Sequence, residues 1–479
     1  MPLAVRSHGA RRGLLVAVAL AHAVLTLTAF AARPGSEFNG WLVLDDLGRL
    51  FLGILSLLFM AAAIYGVGYL AREARHPNGP AAGGDVAQAN QAERIFTCCL
   101  LLFLATMTLV TVSHSFGLLW MAVEATTLAS APLIYFHRQK QSLEATWKYL
   151  LICSVGIALA LLGNFFLAIA ATQEGYAVPL VLGDLLASAH RLDPTWLRAA
   201  FLLLLVGYGT KMGLAPLHTW LPDAHSEAPS MVSALLSGAL LNCALLAVLR
   251  VFQVCGEAGL VDFTQPILVL FGLLSMTVAA VFILRQADFK RMLAYSSIEH
   301  MGLLVLGVGL GGAAGFGALL HAVNHSLTKG MLFLVAGNLL AAYRTRRVAE
   351  TRGALRVLPA SAALWMAGFL AISGSPPFGP FVSELVIIKA AFDQHAGWVA
   401  AAVLALLGLI FVGMASVVVP MVYGDPPDEL PSGGVRRNES AWTILPPAVL
   451  AALVLALGLY VPPAVDEAVR GAAALLGGR

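Results

Sequence analysis

The sequence predicts an all-α polytopic membrane protein, and three observations carry that class. The chain is 59% hydrophobic and 11% charged, with a mean hydropathy of +0.83, whereas soluble domains carry about 25% charged residues. Apolar runs long enough to cross about 30 Å of hydrocarbon recur along its whole length. Basic residues also fall unevenly between the loops: eighteen lie on the side of the amino terminus, among them Arg6, Arg94, Arg138 and Arg346, and seven on the other, among them Arg191 and Arg470. That bias places the amino terminus in the cytoplasm and the carboxyl terminus outside. The net charge of +3 forms no basic patch, so nucleic acid is not a predicted partner; the lipid bilayer is. Cys98, Cys99, Cys153, Cys243 and Cys255 show no CxxC spacing, so no iron–sulfur or structural zinc site and no cofactor is expected.

The predicted crossings are 13–31, 47–71, 95–113, 115–136, 145–171, 196–215, 230–253, 264–284, 292–312, 315–342, 361–393, 397–423 and 441–461, thirteen in all. The first competes with a signal peptide, because RSHGARR precedes it and AFAA ends it, but its apolar run exceeds the usual 7 to 15 residues of such a core. Four regions follow: 1–94 with two helices and a loop, five-helix units at 95–253 and 264–423, and 424–479 with a loop, the last crossing and a short tail. The stretches 75–94 and 424–440 read as solvated linkers. AVDEAVRGAAALLGG in the tail reads as an interfacial helix.

Each five-helix unit contains one interrupted helix, GTKMGLAP with Gly209, Gly213 and Pro216, and GSPPFGP with Pro376, Pro377 and Pro380. Paired Gly/Pro breaks at corresponding places in two halves point to inverted repeats and a transport site near the midplane. Charge collects there. Lys211, Lys148, Lys329 and Lys389, four of only six lysines, and Glu124, Glu299 and Glu384 lie in or at the ends of apolar segments. An ionised lysine at the centre costs roughly 2.5–3.5 kcal/mol, so such groups normally face a cavity and pair.

In HAVNHSLTKG the residues His321, His325 and Lys329 recur every four positions and share one helical face. Three readings fit this stripe: a proton relay, satisfied structural histidines, or a metal site. The relay is favoured, since no HExxH glutamate accompanies the histidines and a cation one turn on opposes a metal. His218, Asp223, His225 and Glu227 read as a polar mouth in preference to a metal cluster. GVGLGG at 307–312 ends an apolar helix and follows no strand, which excludes a dinucleotide loop.

Together, GTKMGLAPLHTWLPDAHSEAPS, DFKRMLAYSSIEHMG, HAVNHSLTKGMLFLVAGN and SPPFGPFVSE resemble the antiporter-like membrane subunits shared by respiratory complex I, Mrp-type cation/proton antiporters and energy-converting hydrogenases. WMAVEATTLASAPLIYF and the Glu299–His300 pair are most similar to hydrogenase-4 component F proteins. The resemblance implies a fold of about fourteen core helices and a proton- or sodium-translocating subunit without redox centres of its own. It implies other integral membrane subunits as partners, peripheral nickel–iron and iron–sulfur redox subunits, and a prokaryotic inner membrane. An antiporter subunit without redox partners is the alternative. It also implies that Glu124 pairs with Lys211, that His321, His325 and Lys329 join two half-channels, and that Glu384 is the ionisable residue of the second broken helix. The helix after the first break offers only Ser237 and Asn242, so Lys148 is expected to help link the halves.

Overall fold

The computed structural model describes residues 7–73, 86–173, 176–427 and 439–477. Most of the linkers 75–94 and 424–440 therefore lies outside the described residues. The helices in chain order are α1 (His8–Ala32), α2 (Asp46–Glu73), α3 (Val86–Val112), α4 (Phe116–Ile134), α5 (Lys140–Ala170), α6 (Leu182–Ala187), α7 (Pro194–Met212), α8 (Trp220–Glu227), α9 (Ser230–Leu235) and α10 (Leu241–Glu257). They continue as α11 (Val261–Ile283), α12 (Phe289–Leu310), α13 (Gly312–Tyr343), α14 (Ala354–Val357), α15 (Pro359–Ile372), α16 (Gly379–Asp393), α17 (Gly397–Tyr423), α18 (Ala441–Leu459) and α19 (Pro463–Ala474). Strand structure among the described residues is a minimal hairpin, Thr172–Gln173 with Tyr176–Ala177.

Among the described residues, eleven continuous helices are long and apolar enough to cross a bilayer, with α9 and α10 counted as one. The interrupted pairs α7/α8 and α15/α16 complete the thirteen segments read from the sequence. Counting crossings, the two interrupted segments run in opposite directions. A turn of π-helix, Leu236–Leu240, joins α9 to α10.

The burial pattern is radial. The central window of α9–α10 is wholly buried, and those of α12 and α13 are 94% and 89% buried, whereas α17 and α18 bury 33%. Lipid and protein interior are equally apolar, so packing and polar contacts, rather than a hydrophobic force, decide which helices sit at the centre. Small residues allow the closest approaches. A Cβ on Gly207 would lie 2.6 Å from the Ala160 backbone nitrogen, and one on Gly302 would lie 2.7 Å from the Gly272 carbonyl. These contacts set α7 directly on α5 and α12 directly on α11.

Local chemistry fixes where the central helices begin and stop. Asp193 caps α7 by accepting from Thr195 N at 2.8 Å and Trp196 N at 3.1 Å, with Pro194 in the first turn where no amide is needed. Gly213, at φ +85°, ends α7 in the left-handed region one residue beyond Met212. Asp288 caps α12 through Lys290 N at 2.8 Å and Arg291 N at 3.1 Å. The α19 helix of the tail packs on α2, and its Arg470 lies over the Phe316 ring at 4.9 Å.

Candidate functional site

The interruption after α7 places Lys211 at a helix end, fully buried between α4 and α5. Its Nζ donates to Tyr149 Oη at 2.6 Å and to Thr127 Oγ1 at 2.7 Å. Thr127 donates in turn to Glu124 Oε2 at 3.2 Å, and Ser154 donates to Glu124 Oε1 at 3.1 Å. The expected Glu124–Lys211 pair is therefore linked through Thr127 and is not a direct contact. Thr127 follows Glu124 by three residues on α4, so its hydroxyl stands one turn along the same face and comes between the carboxylate and the ammonium.

Towards the side predicted cytoplasmic, α8 and the start of α12 carry a charged rim. Asp223 pairs with Lys148 and Arg291, each at 3.0 Å, and Glu227 pairs with Arg346 at 2.7 Å. Behind the rim is a cavity of about 610 Å³ whose lining includes His137, Glu227, Asp288 and Lys290. Lys290, in the first turn of α12, is buried, donating to Ala228 O at 2.5 Å and Ser226 O at 3.3 Å. The signal was available: Lys290 sits inside the first turn of an apolar helix, one residue from Phe289. Burial, and then the cations Lys290 and Arg346, push His137 down to about 4, so its ring is neutral at neutral pH.

Of the expected mouth residues, Asp223 and Glu227 are at the rim. His225 is corrected to the interior: it is fully buried, stacked on Phe333 with centroids 4.8 Å apart, and neither ring nitrogen has a partner. His218 is also buried, with an unpartnered Nδ1.

At the centre, Ser237 of the π turn shares a hydrogen bond of 2.8 Å with Ser297 of α12. Asn242 donates to Ser326 Oγ at 2.7 Å, and Lys329 donates to Leu293 O at 2.7 Å. Lys148 takes no part here. Its side chain is exposed, held by Glu144 at 2.8 Å and by Asp223, because its position on α5 is two turns from the helix start and faces the rim. Lys389 is likewise an exposed side chain, paired with Asp393 one turn on at 2.5 Å. Neither Lys148 nor Lys389 joins the buried groups.

The second interruption builds a different nest. Glu384 of α16 rests against Gly374, where a Cβ would lie 2.0 Å from Oε2, and Asn324 of α13 donates to Gly379 O at 2.9 Å. His321 of α13 meets His300 of α12 across 2.9 Å between Nε2 and Nδ1, and its own Nδ1 meets Ser383 Oγ at 2.9 Å. Glu299 lies beside them, with Oε2 3.9 Å from His300 Nε2. The His325 ring centre is 5.3 Å from that of His300. Glu299 Oε2, His300 Nε2, Glu384 Oε1 and both His325 nitrogens are buried without a partner. Among the described residues one group, His300, His321 and Glu384, has ligand atoms spaced for a metal ion.

Buried titratable groups thus collect at Lys211 and at Lys329, Glu299, His300, His321 and Glu384, with the Ser237–Ser297 pair also buried at the centre. Each of these side chains can carry one proton at a time.

Comparisons with known proteins give the family. The chain is 36% identical over 444 residues to the hydrogenase-4 component F homolog of Methylacidiphilum infernorum, covering 91% of this chain and 87% of that protein. It is 29% identical over 425 residues to hydrogenase-4 component B of Escherichia coli, covering 84% of this chain and 59% of that protein. In fold it is similar to a chain of the membrane-bound sulfane sulfur reductase, an archaeal respiratory membrane complex, with a TM-score of 0.85, 22% identity, and 98% of this chain and 93% of that chain covered. The model of the NADH:quinone oxidoreductase/Mrp antiporter transmembrane family matches residues 113–409, which include both interruptions, and the chain belongs to that family.

Proposed function

We propose that the chain is the ion-translocating membrane subunit of a complex I-like assembly of the energy-converting hydrogenase kind. The observation that carries this reading is the run of buried titratable side chains between two interrupted, oppositely directed helices. The five-helix units that hold the interruptions act as two half-channels. Protons are the ion that the side chains suit, since lysine, histidine and glutamate each carry one proton at a time and the links between them are hydroxyls.

Lys211 is the switch. As an ammonium it is held by the oxygens of Tyr149 and Thr127, and the Glu124 charge behind Thr127 favours that form. Moving Glu124, or giving it a proton, weakens the hold, and Lys211 releases its proton towards the Ser237–Ser297 bridge. Lys329 and His325 lie beyond, and His300, His321 and Glu384 complete the passage.

Relatives of this chain are membrane subunits of multi-subunit assemblies, so other membrane subunits are its partners. The redox chemistry belongs to peripheral nickel–iron and iron–sulfur subunits, and the amino terminus faces the cytoplasm of a prokaryotic cell. The second reading, a cation/proton antiporter subunit without redox partners, is supported by the joint description of the family. Subunits that co-purify decide between them: a nickel–iron large subunit supports the first, and small membrane subunits alone support the second. The translocation itself is tested by Lys211→Ala and Glu124→Gln, which are expected to abolish ion pumping while the complex still assembles. Normal pumping in both overturns the reading.

A further inference from the structure

We propose that His300, His321 and Glu384 form a binding site for a divalent transition-metal ion of zinc's type. One ligand atom from each lies within 4.8 Å of the others, and the three residues come from α12, α13 and α16, so the site exists only in the folded chain. His300 Nδ1 and His321 Nε2 face one another across 2.9 Å. With zinc–nitrogen bonds of 2.0–2.1 Å, two imidazoles at a tetrahedral ion stand about 3.3 Å apart. A small opening of the pair therefore admits the ion in place of the hydrogen-bonded proton.

The surroundings are those of a ligand set. Imidazoles that bind a metal normally have their second nitrogen addressed by a carboxylate, a hydroxyl or a carbonyl, which fixes the ring and its tautomer. Here His321 Nδ1 is 2.9 Å from Ser383 Oγ, and His300 Nε2 faces Glu299 Oε2 at 3.9 Å. The Glu384 carboxylate supplies an unpartnered Oε1. Two neutral imidazoles, two carboxylates and one divalent ion sum to no net charge, which suits a site where His300 and His321 are fully buried and Glu384 is 5% exposed.

The cation that argues against a metal on the α13 stripe acts on His300 and Glu299 but not on His321 or Glu384. Lys329 is eight residues from His321, roughly 12 Å along the helix. Nitrogen ligands favour zinc, cobalt or nickel over sodium and magnesium, which prefer oxygen. The interruption gives the ion its way in: Pro376 and Pro377 are exposed, and Gly374, which touches the Glu384 carboxylate, is half-buried. An ion bound here occupies the nitrogens and oxygen that the proposed proton passage uses, so it acts as a brake. That consequence rests on the function proposed above, whereas the binding does not.

The test uses the full chain in its assembled complex, stripped with a chelator and titrated with Zn²⁺, with Co²⁺ absorption reporting coordination. About one equivalent is expected to bind to the unmodified chain. Binding is lost in His300→Gln and in Glu384→Gln, is kept in His325→Gln, and weakens about tenfold in Ser383→Ala. If His300→Gln does not assemble, Glu384→Gln decides alone. No bound Zn²⁺ overturns the proposal. Equal binding by Glu384→Gln and the unmodified chain shows an adventitious ion only, and also overturns it. Binding that follows the expected pattern but leaves proton translocation unaffected keeps the site and contradicts the proton passage instead.

Discussion

The nests at the two interruptions are built on opposite principles. Around Lys211, the ammonium has two close neutral oxygen acceptors, and Tyr149 is itself tied to Ser130 at 2.6 Å. Around Glu384, the polar atoms outnumber their bonds: one oxygen each of Glu299 and Glu384, one nitrogen of His300 and both of His325 lack partners. A buried group left unbonded costs about 1–3 kcal/mol, so a native structure that leaves several of them together has a use for them. The lesson is a division of labour. On the function proposed above, the Lys211 nest holds one proton until a neighbouring charge moves, and the Glu384 nest receives it.

Four predictions set these nests against each other. The largest effect is expected from Lys211→Ala, which removes the fully buried ammonium at the centre of the first nest. Proton uptake by inverted vesicles carrying the complex should fall on the order of a hundredfold. Glu384→Gln keeps the shape of the second nest and removes its charge, and should slow uptake nearly as much, with assembly unchanged by gel filtration. Thr127→Val cuts the hydroxyl between Glu124 and Lys211 without touching either. Uptake should drop about tenfold, equivalent to about 1.4 kcal/mol on the barrier, and an unchanged rate would show that Glu124 acts on Lys211 without it. The smallest effect belongs to Lys389→Ala. An exposed ion pair one turn apart is worth about 0.3–0.5 kcal/mol, so neither uptake nor thermal stability should move measurably.

The sequence carries much of the frame and less of the wiring. Thirteen crossings are legible because hydrocarbon thickness sets a minimum run of apolar residues, and Gly213 and Pro376 mark the interruptions because they cannot continue a helix. Lys211 is legible because it follows the apolar run FLLLLVG as a charge within a predicted crossing. Thr127 and Tyr149 are not, since a hydroxyl in an apolar run gives no periodic signal and its partner is on another helix. Lys290 and Arg291 both read as cations at a helix start, and charge counting does not tell that Lys290 is buried while Arg291 is partly exposed. Lys148 and Lys389 show the converse. Both stand on helices that reach membrane depth, yet their long side chains turn to exposed carboxylates on the same helix. The His300–His321 contact joins residues 21 apart in sequence, and no spacing rule within one helix could reveal it.

The central claim is that both nests lie on one route. Initial rates of proton uptake, measured side by side for the unmodified complex, Lys211→Ala, Glu384→Gln and the double variant, test it most directly. On a single route either substitution stops the flow, so each single variant should be as slow as the double. Single variants that each keep about half of the flow, with loss only in the double, would mean two independent routes and would contradict the account.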